Sequence, residues 1–509
     1  MEPTHSAPSA SRAPWTWALA SLTILAGILR FATLDRQSFW SDEAITVVLL
    51  RMDLGEMLRT VSETESTPPV YYVLAWAWTR IFGDGEVGLR SLSALAGTVT
   101  VPVAYAAGRE LFGRRVAISA AALVAVSPPL VWYSQEARSY ALAVLLCAAS
   151  FAAFGRALRS PTPLVLAVWT ATSLLALGTH YFAIFVVGTE AIWLLATLRS
   201  SAILGATLAL GAGGLALLPL ALTQHGHGFV ENVAAGDGQG LRLVVVVKQL
   251  LVGESLPYDR AIAAAVTLVL VSSFVVLAPR TGRRARRSVA IAGSVGIAPI
   301  LAPLVLSVGG LGYLNARNAL LGFVPMAVAV AGGISVARPQ IAGALVVGAV
   351  SCALLAITVV IAADPAHHRP NWRGLARDIR EGGPAQVAVV TPDHQGWFAR
   401  VPLQLYLPET QAVDEAYADA VPQFARVSRR PIDRGTPPHV LARAVVLAGV
   451  GWELPSLAER LPAAFVQVED RRAHGYRVVR YESEEAVRLD TSSLAARQAA
   501  ILLLPAAEP

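Results

Sequence analysis

Long apolar stretches separated by short polar segments fill the first 360 residues of the chain. A helix that crosses a bilayer needs about 20 mostly apolar residues, and a charge at its centre costs about 2.5–3.5 kcal/mol on insertion scales. By this criterion the pattern predicts eleven membrane-spanning helices, at 15–34, 89–108, 117–132, 139–156, 164–179, 182–198, 202–222, 260–278, 289–307, 318–335 and 341–362. The first stretch is too long for a removable signal peptide and is interpreted as a retained anchor.

Beyond residue 363 the pattern becomes that of a soluble domain. Val387–Thr391 and 444–449 are predicted to be short buried strands. Helical patterns surround them, near 371–381, 396–406 and 455–461. Strands that alternate with helices predict a small α/β domain.

The predicted organisation is therefore an all-α polytopic membrane domain with a C-terminal α/β domain. We expect a cytoplasmic N-terminal tail (1–14), a membrane domain (15–362) that carries a long first loop (35–88), and a soluble domain (363–509).

Charge in the connecting segments predicts which side each loop faces. The connections assigned to the cytoplasm are rich in arginine, as in the cluster at 283–287, and hold one acidic residue, Glu110. The loop 35–88 has nine acidic residues against four arginines. Because arginine-rich short loops stay in the cytoplasm, the N-terminus is predicted to be cytoplasmic, and an odd number of helices places the C-terminal domain outside.

Composition narrows the class of protein. The chain is 55% hydrophobic and 15% charged, whereas soluble domains carry about 25% charged residues. This excludes a water-soluble enzyme, a disordered chain and a disulfide-stapled scaffold. The net charge of +6 does not indicate nucleic-acid binding, because the arginines gather at helix ends and form no continuous stripe with aromatic residues.

Candidate chemistry begins directly after the first apolar stretch, at Asp42 and Glu43. A carboxylate there can act as a general base, and its neighbour can orient substrate or bind a metal ion. The alternative is that Asp42 only caps the helix that follows.

Two further polar groups lie at predicted outer helix ends. Tyr71 and Tyr72 follow two prolines and offer polar tips at the membrane interface. Glu136 and Arg138 lie in a dense polar segment, 133–140. They can pair with each other, or they can hold a cation and an anionic group.

The remaining groups are His180 with Tyr181, and Arg317 with its polar neighbours Tyr313, Asn315 and Asn318. Arginine suits phosphate recognition because its fork donates two hydrogen bonds. Arg317 can equally extend from a helix end to the interface without any ligand.

All five groups share the predicted extracytoplasmic face. An active site there has no access to cytosolic nucleotide sugars or ATP. Any group transfer therefore needs a donor that crosses the membrane with its carrier.

The motifs then form a recognisable series. In order they are Phe39–Ala44 (FWSDEA), Thr67–Tyr72 (TPPVYY), Phe82–Gly83 followed by Leu89–Ser91, Tyr133–Arg138 (YSQEAR) and Thr179–Phe182 (THYF). Over about residues 15–340 the chain resembles the dolichyl-phosphate-mannose protein mannosyltransferase superfamily, family 39-like glycosyltransferases of the GT-C fold, with bacterial members. The resemblance implies an inverting transferase that takes a sugar from a polyprenyl-phosphate donor.

The resemblance also implies roles for individual residues. The aspartate linked to catalysis corresponds to Asp42, with Glu43 beside it. Donor phosphate and substrate would be bound by Glu136, Arg138, His180, Tyr181, Arg317, Tyr71 and Tyr72. A divalent cation, Mg or Mn, would be held by Asp42, Glu136 and His180. One departure is that Arg317 is followed by Asn318, where family members often have tyrosine.

The expected activity is transfer of mannose, or of a pentose such as arabinose, to a hydroxyl of a glycan, glycolipid or protein at the outer face of a bacterial plasma membrane. A transporter or flippase for lipid-linked sugars is the main alternative, but it would be expected to have inverted repeats and broken helices meeting at mid-membrane. A non-catalytic envelope scaffold would leave the acidic and histidine motifs unexplained.

Overall fold

The computed structural model describes residues 13–225, 239–253, 256, 258–308, 313–336, 340–381, 387–391, 400–407, 411–412, 439–450, 459, 461–473, 475–490 and 500–503. Most of the predicted N-terminal tail lies outside these residues. The chain divides into two compact units. The helical unit comprises the chain up to Ala32 together with Arg90–Val360, and the mixed unit comprises Thr33–Leu89 together with the chain from Ile361 onwards.

Helices make up most of the described chain. In order they are α1 (Ala13–Phe31), α2 (Ser41–Leu50), α3 (Leu54–Thr64), α4 (Val70–Phe82), α5 (Glu86–Leu111), α6 (Arg114–Val126), α7 (Pro128–Ser134), α8 (Tyr140–Ala157), α9 (Pro163–Thr179), α10 (Ala183–Thr197), α11 (Ser201–Ala216), α12 (Leu218–Gln224), α13 (Gln239–Val252), α14 (Asp259–Leu277), α15 (Arg283–Val308), α16 (Ala316–Ala319), α17 (Phe323–Ser335), α18 (Gln340–Ala363), α19 (Trp372–Glu381) and α20 (Arg400–Tyr406). Short 3-10 turns occur at Ala278–Arg280, Leu320–Gly322 and Pro365–His367.

The apolar pattern identifies the helices of the helical unit. Within the described residues, eight helices are long and apolar enough to cross a membrane, or nine if the bent pair α6–α7 forms one span. α9 and α10 are shorter apolar helices. The protein is a multi-pass membrane protein, and each of the eleven predicted stretches coincides with one helix or with consecutive helical elements, such as the bent pair. How many of them cross the bilayer stays a prediction.

Buried side chains hold the helical unit together. Phe151, Phe154 and Trp169 are fully buried in the core around α8 and α9. One carboxyl group links three helices, because Glu190 of α10 accepts hydrogen bonds from Ser150 of α8 and from Trp169 of α9, each at 2.8 Å. A polar contact of this kind between helices fixes how the helices are arranged.

The chain bends by 58° between α6 and α7. Ser127 separates them, and α7 begins with Pro128 and Pro129. Proline has no backbone N–H and its ring clashes with the preceding turn, so the two prolines account for the break. The break directs α7 towards the polar segment at 135–139.

Glycine allows α15 and α17 to approach each other at backbone distance. A Cβ atom added to Gly296 would lie 2.6 Å from the amide nitrogen and 2.9 Å from the Cα of Met326. Both are backbone atoms that cannot move without shifting α17.

Gly296→Ala is therefore expected to destabilise the protein by about 1–3 kcal/mol, the usual effect of overpacking a filled core. Gly211→Ala is the matched control, since nothing lies within 4 Å of a Cβ at that helical glycine and alanine favours a helix by up to about 1 kcal/mol. Thermal unfolding in detergent measures both changes. Equal midpoints for the two variants would contradict the close approach of α15 and α17.

The mixed unit is built on a six-stranded sheet. Its strands are β1 (Val387–Thr391), β2 (Gln411–Ala412), β3 (His439–Val450), β4 (Val466–Ala473), β5 (Tyr476–Asp490) and β6 (Ala500–Leu503). The order is β2-β6-β1-β3-β5-β4. β1 and β3 are parallel, and the other neighbouring pairs are antiparallel.

Both predicted strands are confirmed, as β1 and as part of β3. Alternate residues face opposite sides: Ala388 and Val390 pack in the cluster that contains Trp372 of α19, whereas Val387 and Val389 pack in a second cluster. The sheet is thus buried on both faces, which explains why these strands are apolar throughout. The helix predicted at 371–381 is confirmed as α19. The one predicted at 396–406 is confirmed over α20, and the one near 455–461 lies largely outside the described residues.

The first long loop packs with the C-terminal residues in this same unit. The Ser38 hydroxyl donates to the carbonyl of Pro370 (3.2 Å) and accepts from the amide of Trp372 (3.0 Å). The Tyr406 hydroxyl accepts from the amide of Phe39 (2.8 Å) and donates to Glu86 (2.7 Å). Two stretches that are distant in sequence therefore form one folded body.

Candidate active site

The two acidic residues lie in the first turn of α2. Trp40 precedes the helix with extended backbone, and its amide donates to the Glu43 carboxylate at 3.3 Å. Glu43 thus satisfies one of the amide groups that a helix start leaves unpaired, and acidic residues are favoured there by the helix dipole. Asp42 is the second residue of the helix, so the capping role considered for it is taken by its neighbours.

Burial distinguishes the two carboxylates. Glu43 is fully buried, whereas Asp42 is partly exposed. Asp42 is therefore the member of the pair whose side chain reaches solvent.

Arg369, from the segment before α19, extends to the acidic pair within the mixed unit. Its Nη1 lies 3.9 Å from the Glu43 carboxylate, and its guanidinium lies 4.5 Å from the centre of the Trp40 ring. Its own amide donates to the Gln37 side chain at 3.0 Å. A planar guanidinium suits both the carboxylate and the aromatic face.

Sequence reasoning missed Arg369. It lies more than 320 positions from Glu43, in a run of mixed polar residues with no spacing that links it to an acidic motif. Only the folded unit brings the arginine and the carboxylate together.

The structure places both predicted tyrosines inside the mixed unit. Tyr71 and Tyr72 are each 1% exposed, and their rings meet edge to face at 5.6 Å. The Tyr72 hydroxyl donates to Glu65 at 2.6 Å. In this arrangement Tyr72 ties α4 to the end of α3, and substrate binding by the two tyrosines stays a prediction.

In the helical unit the polar residues gather around Tyr140. Its ring lies 5.3 Å from that of Tyr133 and 5.8 Å from that of His180. The guanidinium of Arg317 lies 6.0 Å from the Tyr140 ring centre. Helix ends from three parts of the chain thus converge on one aromatic residue, and sequence reasoning assigned no role to it.

Arg138 and Glu136 belong to the same neighbourhood. Glu136 is fully buried and Arg138 is 9% exposed. The segment turns sharply here, with the Arg138 amide donating to the Glu136 carbonyl at 2.8 Å. The Arg138 carbonyl accepts from Ser93 of α5 at 3.4 Å.

His180 lies between α9 and α10, and its Nδ1 accepts from the amide of Phe182 at 3.3 Å. Burial, with a further contribution from the positive charge of Arg138, lowers the pKa of His180 to about 4. The imidazole is therefore neutral at physiological pH and can accept a hydrogen bond. It adds no charge to a site that already contains arginines.

A second set of contacts borders this cluster. The Tyr181 hydroxyl donates to the Gln224 side chain at 2.7 Å, and burial raises the pKa of Tyr181 to about 12. Tyr313 and His225 are 2.9 Å apart at their polar atoms, and the Asn315 side chain accepts from the Arg317 amide at 2.9 Å. Tyr181 therefore stays protonated, and Arg317 is held at the start of α16.

The predicted site residues are thus distributed between the two units. His180 and Arg317 lie beside Tyr140 in the helical unit, where the charge of Arg138 acts on His180, whereas Asp42 and Glu43 belong to the mixed unit. That the two groups share one active site stays a prediction.

Within the described residues, no group of three or more His, Cys, Asp or Glu side chains lies close enough to hold a metal ion. Metal binding by Asp42, Glu136 and His180 therefore stays a prediction.

The lowered pKa of His180 makes stability depend on pH. The unfolded chain takes up a proton near pH 6.5, whereas the folded protein does so only near pH 4. The stabilising effect is complete above pH 6.5 and is lost as the pH falls towards 4, by about 2 kcal/mol between pH 7.5 and pH 5.

Thermal unfolding of the wild type and of His180→Gln between pH 7.5 and pH 5 measures this effect. We expect the wild type to lose more stability than the variant over that interval, since only the wild type carries the titrating ring. Parallel losses would show that His180 protonates as readily in the folded as in the unfolded protein.

The comparisons with known proteins define the class. Residues 66–223 match the family model for dolichyl-phosphate-mannose-protein mannosyltransferases. The structure is similar to that of ArnT from Cupriavidus metallidurans bound to undecaprenyl phosphate, with a TM-score of 0.53 and 13% identity over 96% of this chain and 100% of that one. Comparison with curated proteins by sequence gives no match.

A second similar structure is the archaeal oligosaccharyltransferase AglB from Archaeoglobus fulgidus, in complex with an inhibitory peptide and a dolichol-phosphate. Its TM-score is 0.51 and its identity 12%, over 86% of this chain and 69% of that one. The protein therefore has the fold of the GT-C glycosyltransferases. The resemblance to the mannosyltransferase superfamily is confirmed in fold by these structures, and in sequence over residues 66–223.

Proposed function

We propose that the protein is an integral-membrane inverting glycosyltransferase that moves a sugar from a polyprenyl-phosphate donor to an acceptor hydroxyl at the extracytoplasmic face. The observation that carries the proposal is that His180 and Arg317 lie beside Tyr140 while the charge of Arg138 acts on His180, in a chain with the GT-C fold. In two proteins of that fold the bound lipid is a polyprenyl phosphate, undecaprenyl phosphate in ArnT and a dolichol-phosphate in AglB.

The chemistry follows from the residue types. The acceptor oxygen attacks the anomeric carbon while the bond from that carbon to the phosphate oxygen breaks, so that polyprenyl phosphate leaves with the electron pair. The attack comes from the side opposite the leaving group and inverts the configuration. Asp42 takes the acceptor proton, a contribution worth about 10²–10⁴-fold in rate.

The arginines act on the leaving group. Negative charge grows on the phosphate oxygen as the bond breaks, and preformed donors aimed at that charge lower the barrier. Arg138 and Arg317 supply such donors through their guanidinium groups. The neutral imidazole of His180 is suited to accept a hydrogen bond from a sugar hydroxyl.

Glu43 has a different role from Asp42 in this proposal. It is fully buried, accepts from the Trp40 amide and faces Arg369. It therefore positions the start of α2 and keeps Asp42 accessible, and it does not take the proton itself. A divalent cation near these carboxylates remains part of the proposal, and no step above depends on it.

The proposed setting is the bacterial plasma membrane, with the N-terminus cytoplasmic and the C-terminal domain outside. Mannose is the preferred sugar, with a pentose such as arabinose as the alternative. The acceptor is a glycan, a glycolipid or a protein hydroxyl.

The activity is tested by incubating membranes that contain the full chain with radiolabelled polyprenyl-phosphate mannose and polyprenyl-phosphate arabinose. Membranes from a deletion strain serve as the control, and the labelled product that disappears identifies the sugar and the acceptor. Label that crosses sealed vesicles while it stays on its lipid would identify a flippase and overturn the proposal.

The role of Asp42 is tested by Asp42→Asn, which keeps the shape of the side chain and removes the base. We expect transfer to fall by about 10²–10⁴-fold with unfolding unchanged. Asp84→Asn is the matched control, because Asp84 lies in the same loop and pairs on the surface with Arg51 at 2.6 Å. Transfer at the wild-type rate by Asp42→Asn would show that another group takes the proton.

The division of roles within the pair is tested by Glu43→Gln. The amide oxygen can still accept from Trp40, so we expect this variant to keep more than a tenth of the wild-type transfer rate and to unfold at a lower temperature. A loss of transfer as large as that of Asp42→Asn, with unchanged unfolding, would assign the base to Glu43.

A further inference from the structure

The bend between α6 and α7 deprives two backbone carbonyls of their usual partners. In an α-helix the amide of residue i donates to the carbonyl of residue i−4, and proline has no amide hydrogen. Pro128 and Pro129 therefore cannot donate to the carbonyls of Val124 and Ala125. In an apolar environment an unsatisfied carbonyl is costly.

The side chain of Arg30, from α1, supplies the missing donors. Its Nη2 donates to the Val124 carbonyl at 3.2 Å, and its Nη1 donates to the Ala125 carbonyl at 3.0 Å. Nη1 also donates to the carbonyl of Ala26, one turn earlier in α1, at 3.1 Å. The guanidinium is fully buried. Two carbonyls freed by two prolines are thus both bonded by one guanidinium.

The next carbonyl along the bend is satisfied in the same way. The Val126 carbonyl accepts from the hydroxyl of Thr358 in α18 at 2.9 Å. Donors from two other helices therefore replace the three hydrogen bonds that a continuous helix would have made here.

The far end of α7 is tied to the same arginine. Nε of Arg30 donates to the Ser134 hydroxyl at 3.3 Å. In return, the Gln135 side chain donates to the carbonyls of Leu29 and Arg30, at 3.0 and 3.2 Å, in the last turn of α1. A side chain of α1 thus bonds the last carbonyls of α6, and the side chain that follows α7 bonds the last carbonyls of α1.

The backbone of α5 packs closely against these contacts. A Cβ atom added to Gly97 of α5 would lie 2.0 Å from the Ser134 hydroxyl and 2.9 Å from Nε of Arg30. The geometry of the bend is therefore set by contacts on several sides.

We propose that Arg30 is a positioning residue for the proposed transferase. By replacing the donors that Pro128 and Pro129 lack, it holds the bend in one geometry and fixes the direction in which 134–138 leaves α7. Glu136 and Arg138 lie in this segment, so Arg30 sets their place without touching substrate. The inference rests on the proposed function for its effect on transfer, and on the hydrogen bonds alone for its effect on structure.

Three variants of the full chain test it. Arg30→Met removes the donors, Arg30→Lys keeps a charge but loses the planar fork, and Arg30→Met combined with Pro128→Ala and Pro129→Ala returns backbone donors to the two carbonyls. Ser294→Ala is the control, since it removes a different hydrogen bond between helices, from Trp193 at 2.8 Å. Each is measured for thermal unfolding in detergent, for transfer kinetics, and for amide hydrogen exchange over 134–138.

We expect Arg30→Met to unfold well below the wild type, and the triple variant to regain at least half of that loss. Transfer by the triple variant should stay at least tenfold below the wild type, because a continuous helix would aim 134–138 elsewhere. Arg30→Lys should raise the KM for the polyprenyl-phosphate donor at least fivefold, measured on folded protein. A purely structural role would lower the amount of active enzyme and leave KM unchanged.

Four results would overturn the proposal: unchanged unfolding in Arg30→Met, an unchanged KM in Arg30→Lys, a triple variant no more stable than Arg30→Met, or a triple variant that transfers at the wild-type rate. If Arg30→Met cannot be purified, Arg30→Lys is judged on KM and the triple variant on transfer and on hydrogen exchange at 134–138. If the wild type itself transfers no sugar, the proposed function fails. Faster exchange at 134–138 in the Arg30 variants than in Ser294→Ala would then still support the structural part.

Discussion

Every backbone carbonyl in an apolar environment has to find a donor, and this requirement organises the helical unit around the bend between α6 and α7. Pro128 and Pro129 remove two donors, and the guanidinium of Arg30 supplies two in their place. A buried charge without an acidic partner is ordinarily expensive. Here its N–H groups are directed at carbonyls and at a hydroxyl, so the cost of burial is offset by hydrogen bonds. The same contacts fix the direction in which the chain enters the segment with Glu136 and Arg138.

The acidic pair shows how two adjacent residues of similar chemistry acquire different environments. Glu43 faces inward, where the Trp40 amide and Arg369 surround it, whereas Asp42, at the preceding position of the helix, is partly exposed. Successive residues of a helix point about 100° apart, as its 3.6 residues per turn require. The helix start therefore separates a structural carboxylate from an accessible one.

Sequence alone predicts much of the fold, because the periodicity of apolar residues and the length of an apolar stretch are local properties of the chain. The apolar stretches identify the helices of the helical unit, and the short β-branched runs identify β1 and β3. Contacts between distant positions are not local and escape such reasoning. Neither the approach of Arg369 to Glu43 nor the gathering of His180 and Arg317 around Tyr140 follows from any spacing in the chain. The fold decides which residues of the polar motifs meet.

The union of the first long loop with the C-terminal residues has a consequence for how the chain can be divided. Ser38 and Phe39, close to the acidic pair, take hydrogen-bond partners from Pro370, Trp372 and Tyr406. A truncation before residue 363 would leave these groups, and the buried Glu43, without their counterparts. The last third of the chain is thus an internal scaffold for the loop that precedes α5, and neither piece can be removed without leaving polar groups of the other exposed.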